Sequence, residues 1–280
     1  MVKSTVVAAN ATAKKWTYVN YSAGGGTIDR WNNAEDFVAD ERVIVVRSAF
    51  NPESRDLVGD GATTTGFYHT LTGDPPTTLP SAFSPTDPTD TYFLYGIGPK
   101  PAPPTDPNLR MPFNRADYYI KRPDDLNTFP KSCHPNTGVL YKGVCNHGDG
   151  SYAPLPLLDC VADMQVVYTL DMNKDGEAGT YANADGTGST GSEILNADTG
   201  TVANTLGNAR DLRERLKEIR VYILAQDGGR DRNFTYPSST VTVGEFGMGR
   251  TFDLTGLGSN WQNYRWKVYT IVVEPKNLSR

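Results

Sequence analysis

The chain has 280 residues, of which 38% are hydrophobic and 21% charged, a balance typical of a folded globular protein. Its net charge of −5 leaves no excess of basic residues with which to displace counterions from phosphates, so nucleic acid is set aside as a partner. The sequence contains no run of about 18 apolar residues, so no stretch of it is predicted to span a membrane.

The first fifty residues predict turns, one short helix and a strand. No apolar signal segment follows Met1, and MVKSTVVAANATAKKW has the character of a start inside a longer protein. The stretch WNNAEDFVAD (31–40) predicts a short helix with Asn32 or Asn33 as its cap. ERVIVVRSAF (41–50) is an apolar, β-branched run, which is typical of a buried strand.

Residues 72–112 hold eleven of the 19 prolines in the chain. Proline fixes φ and lacks an amide donor, so this region is a poor candidate for helix or central strand. TYFLYGIG (91–98) is the one strand candidate within it. We interpret the region as a long surface loop with an inserted strand. A domain linker is the alternative, but strand candidates of the same character continue on both sides, so residues 1–280 are predicted to form a single domain.

The remainder of the chain predicts further strands and one convincing helix. The strand candidates are ADYYIKR, GVLYKGVCNH, ADMQVVYTLDM, EIRVYILAQ and NYRWKVYTIVVEP. The helix is NARDLRERLKE (208–218), in which Leu212, Leu216 and Ile219 recur with helical spacing. Residues 182–209 are rich in Gly, Thr, Asn and Ala, which indicates an extended loop. The fold class is therefore α+β and β-rich, with antiparallel sheets, few short helices and long Pro/Gly-rich loops.

No catalytic residue is predicted. The three histidines, His69, His134 and His147, show no spacing typical of a metal site. GTGSTG has threonine where a nucleophile elbow needs its first glycine, and GEFGMG (244–249) lacks the dinucleotide-binding pattern. Without a base, nucleophile or metal constellation, an enzyme is the poorest interpretation of this sequence.

DMNKDGEAG is the most specific chemical signal. Asp171, Asn173 and Asp175 occupy positions 1, 3 and 5 of an EF-hand-type loop, followed by Gly176, and Glu177 offers its backbone carbonyl. These oxygen ligands suit Ca²⁺. Position 12 of the loop is alanine, so a later carboxylate such as Asp185 or Glu193 would have to replace the missing glutamate. A plain hairpin turn is the alternative, since Asn-x-Asp-Gly is also a favoured turn sequence.

Hairpin geometry suggests how the three cysteines pair. A turn at HGDG (147–150) sets Gly138 opposite Cys160 and leaves Cys133 just beyond the open end. Cys133–Cys160 is therefore the predicted bridge, and Cys145 is predicted to remain a thiol with a structural role.

Five stretches closely resemble the corresponding segments of PilW-type minor pilins of bacterial type IV pili. They are MPFNRADYYIKR (111–122), TGVLYKGVCNHGDG (137–150), PLLDCVADMQVVYTLDMNKDG (156–176), LRERLKEIRVYILAQDG (212–228) and RWKVYTIVVEPKNL (265–278). The N-terminal hundred residues are less specific, although KSTVVAANATAKKWTYVNY and DERVIVVRSAF are similar in style to the start of a PilW head.

The resemblance implies a pilin-like head on which a long N-terminal helix packs against sheet. In the family that helix begins with a short basic leader, a prepilin peptidase site and about twenty apolar residues, none of which is in this sequence. The implied function is pilus assembly and priming, with an inner-membrane anchor and periplasmic head before assembly and a place at the extracellular pilus tip afterwards. The implied partners are other minor pilins (PilV-, PilX- and FimU-like) and a PilY-type tip adhesin. GspJ-type pseudopilins are related.

The family resemblance also favours calcium at Asp171–Asp175 and suggests partner contacts in residues 72–112 and 182–209. Variable, solvent-exposed loops are the alternative for both regions. A second class of function, a secreted β-rich adhesin or carbohydrate-binding module, stays open because tryptophans can stack on sugars. The tryptophans are Trp16, Trp31, Trp261 and Trp266, and Trp266 is expected to be in the core instead.

Overall fold

The computed structural model describes residues 2–4, 7, 10–50, 53–61, 66–99, 109, 111–125, 127–146, 151–171, 193–196, 204–205, 207–245 and 248–275. Antiparallel strands are the main regular structure of these residues, and helices are few and short, so the β-rich, antiparallel part of the predicted fold class is confirmed.

The chain divides into two compact units. The first contains residues 1–119 and 141–155, and the second contains residues 120–140 and 156–280. The chain passes between the units three times, at residues 119/120, 140/141 and 155/156. A single domain over residues 1–280 stays a prediction.

Eight strands lie in the first hundred residues. They are β1 (Val2–Ser4), β2 (Trp16–Asn20), β3 (Gly26–Ile28), β4 (Glu41–Phe50), β5 (Glu53–Val58), β6 (His69–Thr70), β7 (Thr78–Leu79) and β8 (Thr91–Pro99). Seven of them form one sheet in the order β5-β4-β8-β2-β3-β7, with β6 paired to β4. The predicted strands at 41–50 and 91–98 are β4 and β8, which lie side by side in this sheet.

One face of this sheet carries a core cluster of the first unit that includes Val43, Val45 and Leu94. The proline-rich region contributes to that core, because Leu79 of β7 and Phe83 of a 3₁₀ helix (Ser81–Phe83) are buried in it. The interpretation of residues 72–112 as a surface loop is therefore wrong around residues 78–84. Prolines are compatible with this packing because β7 is short and lies at the edge of the sheet.

Residues 31–40 form bends and turns, so the helix predicted there is wrong. The carboxylate of Asp36 accepts hydrogen bonds from the backbone amides of Trp31 (2.7 Å) and Asn32 (3.1 Å). Asn33 likewise accepts from the amide of Glu35 at 2.8 Å. Such local side-chain bonds offer the backbone an alternative to helical hydrogen bonds.

The remaining strands are β9 (Asn114–Lys121), β10 (Gly138–Cys145), β11 (Tyr152–Leu170), β12 (Glu193–Asn196), β13 (Leu216–Asp227), β14 (Thr240–Val243), β15 (Arg250–Asp253) and β16 (Arg265–Val273). A second sheet has the order β1-β9-β10-β11-β13-β16, with β12 paired to β11, while β14 and β15 form a separate hairpin. In the second unit, β11, β13 and β16 are consecutive antiparallel neighbours.

The helix α1 spans Ala209–Arg215, and Asn208 caps it by accepting hydrogen bonds from two backbone amides of the first turn. The predicted helix extended to residue 218, but β13 already begins at Leu216. Leu212, Leu216 and Ile219 nevertheless pack together against Leu170, so their spacing marked a shared core and not one helix face. Residues 204, 205 and 207 are also helical, and short 3₁₀ turns lie at Thr12–Lys14, Ser81–Phe83, Leu254–Leu257 and Trp261–Asn263.

Candidate interaction surface

The predicted calcium residues are only partly within the described chain. Asp171 directly follows β11 and is fully buried, with a carboxylate oxygen 3.4 Å from Nζ of Lys217. Its amide donates to the carbonyl of Arg215 at 2.7 Å, which fixes the end of the β11–β13 pairing. Asn173, Asp175, Glu177 and Asp185 lie outside the described residues. Within the described ranges no three acidic, histidine or cysteine residues form a metal-binding group.

The predicted disulfide is confirmed, since Cys133 and Cys160 are bonded with their Cα atoms 5.0 Å apart. Cys145 is a buried thiol whose Sγ donates weakly to the carbonyl of Asn146 at 3.8 Å. Cys160 has a positive φ of 57°, and a register shift follows it between Val161 and Asp163 in β11. The disulfide therefore attaches residue 133 to β11, the longest described strand, next to its register shift.

The two described histidines have packing partners within their own units. His134 is buried, with Nε2 3.0 Å from the carbonyl of Ser259 and Nδ1 accepting from the amide of Asn136. His69 lies against Phe83, with ring centroids 5.5 Å apart, and burial lowers its pKa. His147 lies outside the described residues. No helix among the described residues is long and apolar enough to cross a membrane.

The strands β11, β13 and β16 align nine apolar side chains on one face of the sheet. Directly paired residues of antiparallel strands project to the same face, so the register defines three rows. The rows are Met164–Ile223–Tyr269, Val166–Val221–Ile271 and Tyr168–Ile219–Val273. We call this nine-residue surface the apolar face.

The apolar face is open to solvent along β16. Tyr269 is 36% exposed, Ile271 49% and Val273 45%, whereas Ile223 near the middle is buried. Aligned apolar side chains with this exposure are typical of a surface that another element covers.

The opposite face of the same three strands is covered around Trp266 and contains polar pairs. Tyr222, Leu224 and Trp266 pack there with residues of the β14–β15 hairpin and the 3₁₀ turns. Asp163 pairs with Arg250, and Arg220 pairs with Glu245 at 3.1 Å. On the apolar face, residues of β11 and β13 take part in other core clusters of the chain, so the exposed apolar surface is the part formed by β16.

The four tryptophans fall into two groups. Trp266 is buried and Trp261 packs against the same core cluster, so Trp266 is in the core as expected. Trp16 and Trp31 are 39% and 40% exposed, with ring centroids 5.5 Å apart. The indole N–H of Trp31 donates to the carbonyl of Trp16 at 3.0 Å. Sugar stacking stays a prediction for this exposed pair.

The two predicted partner-contact regions are unequally described. Of the first region, 72–112, the structure describes residues 72–99, 109, 111 and 112, and some of these residues are buried. Of residues 182–209 it describes mainly β12 and the residues just before α1. Sequence reasoning missed the apolar face entirely, because each strand showed its alternation but the register that aligns the rows depends on pairing between distant strands.

Comparison with protein-family models, with curated proteins and with solved structures gave no match for this chain. The resemblance to PilW-type minor pilins therefore rests on the five segments quoted above.

Proposed function

We propose that this chain is the globular head of a PilW-type minor pilin, a non-catalytic protein that takes part in type IV pilus assembly. One observation carries the proposal. The five resembling segments contain β9, β10, the main part of β11, β13 and β16, and the last three are consecutive neighbours in the sheet of the second unit. Accidental similarity between short segments has no reason to fall on consecutive strands of one sheet.

The apolar face supports the same proposal. The resemblance implies a long N-terminal helix packed against sheet, and an amphipathic helix needs an apolar surface to bury its apolar stripe. The rows across β11, β13 and β16 supply such a surface. We therefore assign the apolar face to the amphipathic part of that helix. The gain is about 25 cal/mol for each Å² of apolar surface removed from water.

In this proposal the helix anchors the protein in the inner membrane and the head supplies partner specificity. The parts of residues 72–112 outside the buried stretch 78–84 and strand β8, together with residues 182–209, are assigned to contacts with PilV-, PilX- and FimU-like minor pilins and with a PilY-type adhesin at the pilus tip. Surface loops suit this role, because they can change without disturbing the sheets beneath them.

We also keep the calcium proposal for the segment that follows β11. Asp171 would supply the first ligand, with Asn173, Asp175, the backbone of Glu177 and a later carboxylate such as Asp185 as the others. The structure adds one condition. The Asp171 carboxylate is already beside Lys217, so bound calcium would share this carboxylate with a lysine.

A secreted β-rich adhesin or carbohydrate-binding module is the second candidate function. The observation in its favour is the exposed, mutually packed pair Trp16–Trp31, which adjoins Tyr18 at 5.5 and 6.3 Å between centroids. Exposed aromatic rings are the groups on which apolar sugar faces stack.

The gene upstream of the codon for Val2 separates the two candidates. A short basic leader followed by about twenty apolar residues supports the minor pilin, whereas a conventional signal peptide with a small-residue cleavage site contradicts it. The functional test is deletion of the gene and a count of surface pili by electron microscopy. Loss of most pili, restored by the intact gene, is the expected result. Unchanged pilus number would contradict the proposal.

A further inference from the structure

A groove of about 430 Å³ opens on the surface of the first unit and is lined by Asp117, Tyr118, Tyr119 and Tyr152. We call it the tyrosine groove. Its size lies within the range of small-ligand sites, which is about 300–1,000 Å³. It lies on β9 and the start of β11, next to β10.

A glycine in β10 lets two tyrosine rings lie across the sheet beside the groove. A Cβ atom at Gly143 would be 3.0 Å from the Tyr119 ring and 3.2 Å from the Tyr152 ring, so both rings pack directly over this glycine. Gly143 is buried as a result, while Tyr152 stays 39% exposed. Tyr119 also stacks on Tyr141, with centroids 5.7 Å apart and an interplanar angle of 23°. The rings are thus held in place and are accessible from solvent.

Asp117 is the charged residue that lines the groove, and it is paired with Arg115. Arg115 donates to both oxygens of Asp117, through Nε at 2.9 Å and Nη2 at 2.7 Å. The hydroxyl of Tyr152 donates to Asp117 at 3.1 Å. The hydrogen bonds from Arg115 lower the pKa of Asp117, so this carboxyl group is ionised at neutral pH. The Arg115 guanidinium also lies 5.5 Å from the centroid of the Tyr152 ring.

This network keeps hydrogen-bonding capacity for a ligand. A guanidinium has five N–H donors, and Asp117 engages two of those on Arg115. A carboxylate accepts about four hydrogen bonds, and three of the positions on Asp117 are filled. Solvent reaches both side chains, which are 30% and 24% exposed. Donors and an acceptor therefore meet beside an aromatic surface.

We propose that the tyrosine groove binds one residue of a neutral oligosaccharide. The apolar face of the sugar ring stacks on a tyrosine, and adjacent hydroxyls bond to Arg115 and Asp117. A hydroxyl both donates and accepts, so it can use either member of the pair. Arg115 and Asp117 form an ion pair with no net charge, so this pair favours a neutral ligand over a charged one. The inference does not rest on membership of a pilus.

The test is isothermal titration calorimetry of the 280-residue chain with cellotetraose, chitotetraose and maltotetraose, and with tetragalacturonate as a charged comparison. At least one neutral probe should bind with a Kd below about 1 mM. Tyr152→Ala should weaken that binding about fivefold or more through loss of aromatic stacking. Asp117→Asn, which preserves the shape of the side chain, should also weaken it.

Two controls locate the site. Tyr269→Ala removes a comparably exposed tyrosine from β16, and Trp31→Ala disrupts the exposed tryptophan pair. Neither should change the Kd. Melting temperatures show whether each variant is folded. If Tyr152→Ala is unfolded, the effect of Asp117→Asn on the Kd tests the proposal. The proposal is overturned if no neutral probe binds, if tetragalacturonate binds more than tenfold tighter, or if Trp31→Ala alone abolishes binding.

Discussion

The carboxylate of Asp171 and the ammonium group of Lys217 form an ion pair at 3.4 Å, with side chains that are 1% and 11% exposed. Asp171 ends the pairing of β11 with β13, and Lys217 is the second residue of β13. A buried carboxylate needs a nearby cation, because removal from water is costly for a charge. The pair therefore couples the end of one strand to the beginning of the next.

Lys217→Met should lower the free energy of unfolding by about 3 kcal/mol, since it removes a cation that pairs with a buried carboxylate. Urea unfolding followed by circular dichroism, in EDTA, measures the change. Lys121→Met is the matched control, because Lys121 pairs with Asp124 at 2.8 Å on the surface. The control should cost less than about 1 kcal/mol. Equal losses of unfolding free energy in the two variants would show that the buried pair contributes no more to stability than the surface pair.

Calcium should raise the unfolding temperature if the segment after Asp171 binds it. At a hundredfold excess over Kd, one site adds about 2.7 kcal/mol to the stability of the folded state. EDTA should reverse the gain and Asp175→Ala should remove it, as measured by thermal denaturation with and without calcium. Indifference to calcium, EDTA and the substitution would refute the calcium proposal.

Reduction of the Cys133–Cys160 bridge should destabilise the protein by about 3 kcal/mol, because the bridge closes a loop with a separation of 27 residues. Dithiothreitol should therefore lower the unfolding midpoint of the wild-type chain. Cys145→Ala should keep this sensitivity to reductant, and the double variant Cys133→Ser/Cys160→Ser should lose it. A double variant that still responds to dithiothreitol would mean that another bond is being reduced.

Stability should decrease on acidification through His69. Burial lowers the pKa of His69 in the folded chain, so the unfolded chain binds the proton more readily. The contribution is fully present above the unfolded pKa of about 6.5 and is lost as pH falls below it. His69→Gln should flatten the decrease in unfolding free energy between pH 7 and 5. Identical slopes for the variant and the wild type would exclude His69 as a cause.

Ile271→Asp should impair pilus assembly in cells that make the full-length protein, because a carboxylate on the apolar face opposes helix packing. Val272→Asp is the matched control, since Val272 is the next residue of β16 and is 47% exposed on the opposite face. Both variants of the isolated head should unfold within about 0.5 kcal/mol of wild type. Pili counted by electron microscopy should decrease for Ile271→Asp alone. Equal counts would contradict the assignment of this face.

Local patterns in the sequence predicted those features whose causes are local. The β-branched run at 41–50 and the strand at 91–98 were predicted because alternation and β propensity act over a few residues. The Cys133–Cys160 bridge followed from the geometry of one hairpin. The helix at 31–40 failed because side-chain bonds from Asp36 compete with helical bonds, and this competition is invisible to a propensity argument.

By itself, the sequence determined a β-rich antiparallel protein, its main strands, its disulfide and the segments that resemble minor pilins. Tertiary structure alone decided the rest. The apolar face depends on a register between strands that are about fifty residues apart, and the tyrosine groove brings Tyr152 to Asp117 across 35 positions. Alternation specifies which residues share a face of one strand. Which faces align is decided by pairing between distant strands, because a slip of one residue reverses every side chain.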